Sequence, residues 1–364
     1  MIPPVPPQFA QERRRQILDE VLAHGSVRVN DLAQHLAVSA VTIRRDVAAL
    51  DHQGLVTQVH GGAVIRRAVE RSAVSPPVLK QHTLGITTPS MDYYWPQVVN
   101  GAQAAVSAYR GQLILRSSSY SVDDDRIQTQ RLLQTGRIEG LLVAPQPLAK
   151  ASAEVLSWLD GLGLPVVLME RTVPPDFFPG KLEWVATDQS YAADLAVRHL
   201  VSQGHRKVGL LTSLGTPHRA AARDGWTRAV RNLGLETRSV VVEDTPSFST
   251  TDRDALLDGI IERCLSSGTT AVIVHADREA IALLQRCQDL ALDVPGDLAI
   301  ITHDDEIASL SSPPLTAIRP AKYQIGYEAA SLLFRRLADP SMPLRRIMLC
   351  PELMVRGTSG PHRT

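Results

Sequence analysis

The stretch "VSAVTIRRDVAAL", residues 38–50, has the pattern of a short amphipathic helix with an apolar stripe and a cationic face. Ile43, Val47 and Leu50 recur at the spacing of one helical stripe, which predicts that they pack into a core. The remaining surface carries two adjacent arginines, Arg44 and Arg45. The small or polar residues Val41, Thr42 and Ala48 surround them. Ser39 precedes the run, where a hydroxyl oxygen caps a helix by accepting a backbone N–H. A face of this composition suits a helix that enters a groove of DNA.

The overall composition is that of a globular protein with more than one domain. A chain of 364 residues is too long for one ordinary domain, and 44% hydrophobic residues supply ample core material. Lysine and arginine together number 38, as do aspartate and glutamate, so the total charge identifies no polyanionic partner. The first 80 residues nevertheless hold more basic than acidic side chains, and this bias fits nucleic-acid binding.

The cysteines and the start of the sequence favour a cytoplasmic location. Cys264, Cys287 and Cys350 are far apart and have no histidine at ligand spacing, which indicates free thiols in a reducing compartment. The first residues, "MIPPVPPQFAQERRR", lack the apolar segment of a secretory signal, and no run reaches the ~20 apolar residues of a membrane span. We expect no metal ion, no cofactor and no membrane association.

Residues 12–65 are predicted to form a compact unit of three helices and a short β-hairpin. A first helix spans about 12–24, and a second follows with either Ser26 or Asn30 as its cap. The third is the amphipathic helix described above. "GLVTQVHGGAV" then alternates apolar and polar residues before its two glycines, as expected for a β-wing and its turn. Two helices joined by a short turn and followed by a wing form a winged helix-turn-helix.

The run from "RRRQIL" through "VNDLAQHLAVSAVTIRRDVAALDHQGLVTQVHGGA" closely resembles the DeoR-type winged helix-turn-helix. Its hallmarks "VSxxTIRRD" and "HGGA" are both present. The resemblance implies that the unit binds double-stranded operator DNA through Ser39, Val41, Thr42, Arg44, Arg45 and His60. Taken alone, Arg44 and Arg45 can equally be a solvated surface pair with a salt bridge to Asp46.

The rest of the chain predicts an α/β domain. Residues 1–11 are proline-rich and predicted to be a disordered tail, and residues 66–81, with Pro76–Pro77, are predicted to be a linker. Residues 82–358 alternate helix-length segments with nine candidate strands: "HTLGITTP", "QLILRSS", "IEGLLVAP", "LPVVLMER", "EWVATD", "KVGLLTS", "SVVVED", "TAVIVHAD" and "DLAIITHDD". Many are apolar on both faces, like parallel strands covered by helices. The expected architecture is a two-lobed, doubly wound α/β domain after the winged unit.

This second domain resembles the effector domain of the lactose-repressor (LacI/GalR) family, which is related to periplasmic sugar-binding proteins. The most diagnostic block is "VATDQSYAADLAVRHLVSQGHRKVGLL", followed by "ARDGW", "HADREAIALLQRCQDLALDVPGDLAIITHDD" and "PPLTAIRPAKYQIGYEAASLL". The DeoR type usually carries a different C-terminal domain, so the chain is a hybrid. The resemblance implies a ligand in a cleft outside the carboxyl ends of the strands, between lobes that close on it.

A sugar in such a cleft calls for carboxylates as acceptors, arginine as donor and aromatic rings as a floor. The candidate ligand contacts are Asp92, Tyr94, Trp95, Arg171, Arg223, Asp277 and Asp304. Several have structural alternatives. Tyr94 and Trp95 can be core residues at a helix start, Asp304 can be a cap or turn residue, and Arg171 can pair with Glu170.

Two positions depart from the family pattern. Ala222 stands where the family places an arginine, so that Arg223 points about 100° away around the helix. Pro320 stands where the family often has glutamine. Both changes remove polar contacts from the usual sugar set, so the sequence does not single out an ordinary free sugar as the ligand.

The two resemblances together predict a transcription regulator, a repressor more often than an activator, controlled by a small molecule such as a carbohydrate. We expect a homodimer or a dimer of dimers, because operator specificity generally needs two half-sites. The alternative is a cytoplasmic solute-binding or sensor protein with a non-sugar ligand. An enzyme is disfavoured, because neither Asp123–Asp125 nor His303–Asp304 belongs to a nucleophile–base constellation.

Overall fold

The computed structural model describes residues 13, 14, 16–18, 20, 21, 26–36, 38–52, 56–59, 62–65, 81–146, 150–173, 178–246 and 253–361. The chain forms two compact units, Met1–Leu79 and Lys80–Thr364. The predicted tail and nearly all of the predicted linker, up to residue 80, lie outside the described residues.

The first unit contains the predicted helices and hairpin. Its elements are α1 (helical residues between 13 and 21), β1 (Ser26–Arg28), α2 (Val29–His35), α3 (Ala40–His52), β2 (Val56–Val59) and β3 (Gly62–Ile65). The strands form an antiparallel sheet in the order β1–β3–β2. The apolar stripe of α3 is buried as predicted, and it packs against α1 and α2 through Ile17, Val21, Leu32, Ile43, Val47 and Leu50.

Strand β1 was not predicted, and it overturns both cap predictions for α2. Ser26 pairs with Val64 of β3, so its backbone belongs to the sheet. Asn30 lies inside α2, and the cap position is occupied by Arg28, whose side chain makes no capping hydrogen bond. The helix follows directly on the strand, which leaves no loop residue to serve as a side-chain cap.

The second unit has the predicted two-lobed α/β architecture, and all nine candidate strands are present. The N-terminal lobe begins with β4 (Thr83–Thr88), α4 (Trp95–Ala108), β5 (Gln112–Ser117), α5 (Val122–Leu133), β6 (Gly140–Val143), α6 (Lys150–Asp160), β7 (Val166–Met169) and β8 (Glu183–Thr187). The C-terminal lobe follows with α7 (Gln189–Ser202), β9 (Val208–Ser213), α8 (Arg219–Asn232), β10 (Val242–Thr245), α9 (Arg253–Ser267), β11 (Ala271–Val274), α10 (Asp277–Asp289), β12 (Ala299–His303) and β13 (Thr316–Arg319).

The chain then returns to each lobe once more. Helix α11 (Lys322–Ala338) and β14 (Arg346–Leu349) join the N-terminal lobe, and β15 (Glu352–Met354) joins the C-terminal lobe. The two six-stranded sheets have the orders β14–β8–β7–β6–β4–β5 and β10–β9–β11–β12–β13–β15. All pairs are parallel except β13 with β15. Strands β13, β14 and β15 were not predicted. β13 is buried but only four residues long, and β14 and β15 are short, half-exposed and without a continuous apolar run.

Helices α4 and α11 cross at two glycines that let their backbones approach closely. A Cβ atom on Gly101 would lie 1.9 Å from the carbonyl oxygen of Tyr323, and one on Gly326 would lie 1.8 Å from that of Val98. Both of these oxygen atoms belong to helix backbone, so neither can move aside without shifting its helix. Helix α11, which enters the N-terminal lobe from the other lobe, is therefore held against α4 by backbone contact.

We expect Gly326→Ala to lower the free energy of unfolding of the second unit by about 1–3 kcal/mol, because the added methyl group forces the two helices apart. The measurement is urea denaturation followed by tryptophan fluorescence, since all four tryptophans lie in this unit. The control is Gly259→Ala in α9, where the new Cβ atom meets only the end of the Arg263 side chain. It is expected to be neutral or stabilising by up to about 1 kcal/mol. Equal stability of the two variants would contradict the packing argument.

Candidate functional site

The outer face of α3 is exposed and positively charged. Val41, Arg44 and Arg45 are all exposed, and Ser39 Oγ accepts the backbone N–H of Thr42 at 3.1 Å, which confirms the predicted cap. No described residue forms an ion pair with either arginine. His60 lies outside the described residues, and the DNA contacts of this face remain a prediction.

Asp46 does not pair with its arginine neighbours. Its buried carboxylate accepts hydrogen bonds from Arg13 Nε at 2.6 Å and Arg14 Nε at 2.9 Å. These bonds tie α1 to the inner side of α3. Because α1 supplies the partners of this carboxylate, Arg44 and Arg45 remain available on the opposite side.

The second unit contains a cavity of about 430 Å³ between its lobes, within the size range of small-molecule sites. The N-terminal lobe contributes Tyr93, Tyr94, Trp95, Tyr120, Glu170 and Arg171. The C-terminal lobe contributes Ser213, Gly215, Thr216, Pro217, His218, His275, Ala276, Glu279 and Asp304. Most of these residues lie in the loops and first helical turns that follow the carboxyl ends of parallel strands, the edge at which open α/β sheets bind ligands. Of the seven predicted contacts, the structure brings Tyr94, Trp95, Arg171 and Asp304 to this cavity.

The N-terminal wall combines aromatic rings with a buried glutamate, Glu170, and a buried arginine, Arg171. Tyr94 OH donates to Glu170 Oε1 at 2.5 Å, and Glu170 also accepts the backbone N–H and the hydroxyl of Thr187. Burial and the Glu170 charge raise the pKa of Tyr94 well above its usual range, so the phenol stays protonated. Trp95 is the first residue of α4 and packs into the core as well as lining the cavity, so both readings of this residue hold.

Arg171 faces the cavity and also contacts Glu170, but through the backbone. Its Nε donates to the carbonyl oxygen of Pro145 at 2.7 Å, and its Nη1 donates to that of Glu170 at 2.9 Å. Its guanidinium lies 5.6 Å from the centre of the Trp95 ring. Burial lowers the pKa of Arg171. With two nitrogens fixed by carbonyl groups, Nη2 has no partner among the described residues and is free to donate to a ligand.

The C-terminal wall carries the imidazoles of His218 and His275 and the carboxylates of Glu279 and Asp304, and His303 packs against His275. The ring centres of His218 and His275 are 6.1 Å apart, and those of His275 and His303 are 5.1 Å apart. Burial lowers the pKa of His218 well below its usual value and that of His275 to about 4, so both rings are neutral at physiological pH. Sequence reasoning missed His218 and His275, as well as Tyr93, Tyr120, Glu170 and Glu279. The sequence feature that could have identified Glu170 and His275 as cavity residues is their position directly after an apolar strand.

Asp304 is buried, and neighbouring polar and charged groups stabilise its ionised carboxylate. Burial alone would raise its pKa, but a hydrogen bond with His303 Nδ1 at 2.9 Å and the nearby Lys322 ammonium group lower it. Lys322 donates to the Asp304 carbonyl oxygen and to Glu306. Asp304, His275 and His303 each offer a ligand atom within 4.8 Å of the others, which makes them the group in the described chain able to hold a metal ion.

Comparison with known proteins assigns both units. Residues 13–68 match the model of the DeoR-like helix-turn-helix domain, and residues 197–359 match that of the periplasmic binding protein-like domain. The chain joins a DeoR-like helix-turn-helix domain to a periplasmic binding protein-like domain, called the effector domain below. No helix in the described part of the chain has the length and apolar character that a membrane crossing requires.

Several similar proteins are named as regulators. The ribose operon repressor of Escherichia coli (strain K12) is 27% identical over 286 residues, which cover 76% of this chain and 82% of that protein. The arabinose metabolism transcriptional repressor of Geobacillus stearothermophilus is 24% identical over 91% of this chain and 90% of its own length. A crystal structure of the transcription regulator GntR from Chromobacterium violaceum is 26% identical, with a TM-score of 0.62 over 76% of this chain and 99% of that one.

Three predicted ligand contacts of the effector domain lie elsewhere. Arg223 donates to Asp244 at 2.9 Å, because its place one residue late on α8 turns it toward β10. Asp92 is exposed and lines a neighbouring cavity of about 550 Å³ with Arg278 and Tyr120. The third, Asp277, is fully buried and does not line the interlobe cavity.

Asp277 instead holds the loop that carries Asp304. Its Oδ2 accepts the backbone N–H groups of Glu306, Ile307 and Ala308 at 2.7, 2.9 and 3.2 Å. Its Oδ1 accepts the hydroxyl of Thr302 at 2.9 Å. This buried carboxylate already accepts four hydrogen bonds from the protein and does not line the cavity, so its role is to position the cavity wall.

We expect Asp277→Ala to lower the free energy of unfolding of the effector domain by about 3 kcal/mol, because it leaves buried N–H groups without an acceptor. Urea denaturation monitored by tryptophan fluorescence measures the change. Asp289→Ala, at the exposed end of the same helix, is the control and should leave the midpoint unchanged. A stable Asp277→Ala variant would show that the loop does not depend on this carboxylate.

Proposed function

We propose that this protein is a cytoplasmic transcription regulator, in which α3 reads operator DNA and a small molecule bound between the lobes controls operator affinity. The observation that carries the proposal is the pairing, in one chain, of an exposed cationic helix in a DeoR-like domain with a buried polar cavity in an effector domain. The names of its relatives describe transcriptional repression and not catalysis.

The shape and charge of α3 support the DNA-binding role. A recognition helix needs one face fixed in a core and another that projects beyond the domain surface. Val41 is 71% exposed although it is apolar, which suits contact with the methyl group of thymine. Arg44 and Arg45 supply donors for phosphate oxygens and for the acceptor atoms of guanine. The Asp46 ion pairs fix the orientation in which these side chains are presented.

The chemistry of the cavity supports a carbohydrate as the effector. Trp95 and three tyrosines provide apolar ring surfaces, and Arg171 provides a donor. Asp304, Glu279 and the neutral histidines provide acceptors for hydroxyl groups. The named specificities of two relatives, ribose and arabinose, agree with this class of ligand. Lobe closure around such a ligand is the two-state change that would alter operator affinity. We propose a homodimer or a dimer of dimers, because one winged unit makes too few contacts for tight binding.

We expect Arg45→Ala to weaken specific operator binding by about 5- to 150-fold, the effect of losing about 1–3 kcal/mol of base contact. Fluorescence anisotropy with DNA from upstream of the protein's own gene, at physiological salt, measures this. Arg131→Ala, which removes an exposed arginine from the effector domain, is the control and should bind like the unaltered protein. Arg45 makes no core contact, so circular dichroism should be unchanged. Undiminished affinity of Arg45→Ala would refute the assigned role of α3.

A further inference from the structure

We propose that His275, His303 and Asp304 bind one divalent transition-metal ion, of the Zn²⁺ class, in the C-terminal wall of the interlobe cavity. The residues belong to two neighbouring strand ends rather than to one sequence motif. This separation explains why the sequence predicted no metal ion.

The sheet register brings the two histidines together. Strands β11 and β12 are parallel, with Ile273 opposite Ile301 and Val274 opposite Thr302. Continuing the register by one residue places His275 opposite His303, so that both side chains leave the sheet on the same side. Their rings are stacked at 29° with centres 5.1 Å apart. Asp304 is the next residue, and its carboxylate contacts His303 Nδ1.

The site holds unpartnered ring nitrogens in a buried place, and an ion that binds the Asp304 carboxylate takes the position of the proton on His303 Nδ1. Nε2 of His275 and Nε2 of His303 are both inaccessible to solvent and have no hydrogen-bond partner in the described part of the chain. His303 is only 6% exposed as a whole. A buried polar atom without a partner costs about 1–3 kcal/mol, so its retention points to a bound partner.

The donor set selects the type of ion. Imidazole nitrogen suits Zn²⁺, Cu²⁺, Ni²⁺ and Fe²⁺, whereas Mg²⁺ and Ca²⁺ prefer oxygen ligands. Two imidazoles and one carboxylate are also a common three-ligand zinc set, with a fourth position open. The ligand atoms lie within 4.8 Å of one another, and zinc distances of about 2.0–2.2 Å require them to approach by about 1 Å.

The surroundings are suited to a cation. Glu279 lines the same wall, and Glu306 neutralises the nearby ammonium group of Lys322. Lys322 binds the Asp304 carbonyl oxygen and holds the carboxylate-bearing residue in place. His275 and Asp304 line the interlobe cavity, so an effector in the cavity would lie within reach of the fourth coordination position. That an oxygen atom of the effector fills it rests on the proposed function, whereas the metal site itself does not.

The test is zinc binding to the full chain without sugar or DNA. The protein is stripped with a chelator, titrated with Zn²⁺ alone by calorimetry, and examined with Co²⁺ for the visible absorption of a low-coordinate nitrogen–oxygen site. We expect one equivalent per chain, bound at least about 100-fold more weakly by His275→Ala and by His303→Gln. The control is His82→Gln, which alters a histidine paired with Glu139 in the other lobe and should bind zinc normally.

Thermal unfolding gives a second readout that does not depend on the yield of folded variant. Zn²⁺ should raise the Tm of the unaltered protein and of His82→Gln, but not that of His275→Ala, whose side chain is only half-buried. Zinc affinity in His275→Ala and His303→Gln equal to that of the unaltered protein would overturn the proposal, as would the absence of a stoichiometric site. Because no DNA is present, a failure of operator binding does not affect this result.

Discussion

The carboxylate of Asp277 fixes the geometry on which the interlobe cavity depends. By accepting three consecutive backbone N–H groups, it turns the chain sharply after β12 and holds residues 304–308 against the start of α10. Asp304 can then adopt φ 102°, a conformation that is unfavourable for a residue with a side chain, with its N–H bonded to the Ile318 carbonyl oxygen. That conformation directs the Asp304 carboxylate toward His303 and the cavity. A polar residue without direct access to the ligand site thus determines the shape of its wall.

A buried carboxylate plays the corresponding part in the DNA-binding domain. Asp46 is almost completely inaccessible, and two arginines of α1 neutralise it. Removing one partner of a buried ion pair lowers the free energy of unfolding strongly. The Asp46 ion pairs therefore fix the orientation of α3 more strongly than apolar packing alone would. The apolar stripe and Asp46 lie on the inner side of the helix, while Val41, Arg44 and Arg45 lie outside. Each domain therefore uses an internal acid to present functional side chains on an exposed or ligand-facing surface.

The sequence predicted the architecture better than the roles of single residues. Continuous apolar runs identified nine strands of the effector domain, and the "TIRRD" helix had its predicted buried stripe and its Ser39 cap. Asp277 was misassigned because an acid after a strand can equally contact a ligand or hold a loop. Only the structure shows the N–H groups of residues 306–308 around it. His275 and His303 are 28 positions apart and meet through strand register, which no local pattern reveals.

The central claim, that the cavity and the DNA-binding surface are linked, is tested most directly by measuring the linkage in both directions. Ribose, arabinose and related sugars are titrated by calorimetry into the free protein and into its operator complex, and operator affinity is measured with and without the sugar that binds. The account predicts that the sugar changes operator affinity by about 5- to 150-fold and that operator DNA changes sugar affinity by the same factor. A sugar that occupies the cavity but leaves both affinities unchanged would contradict it.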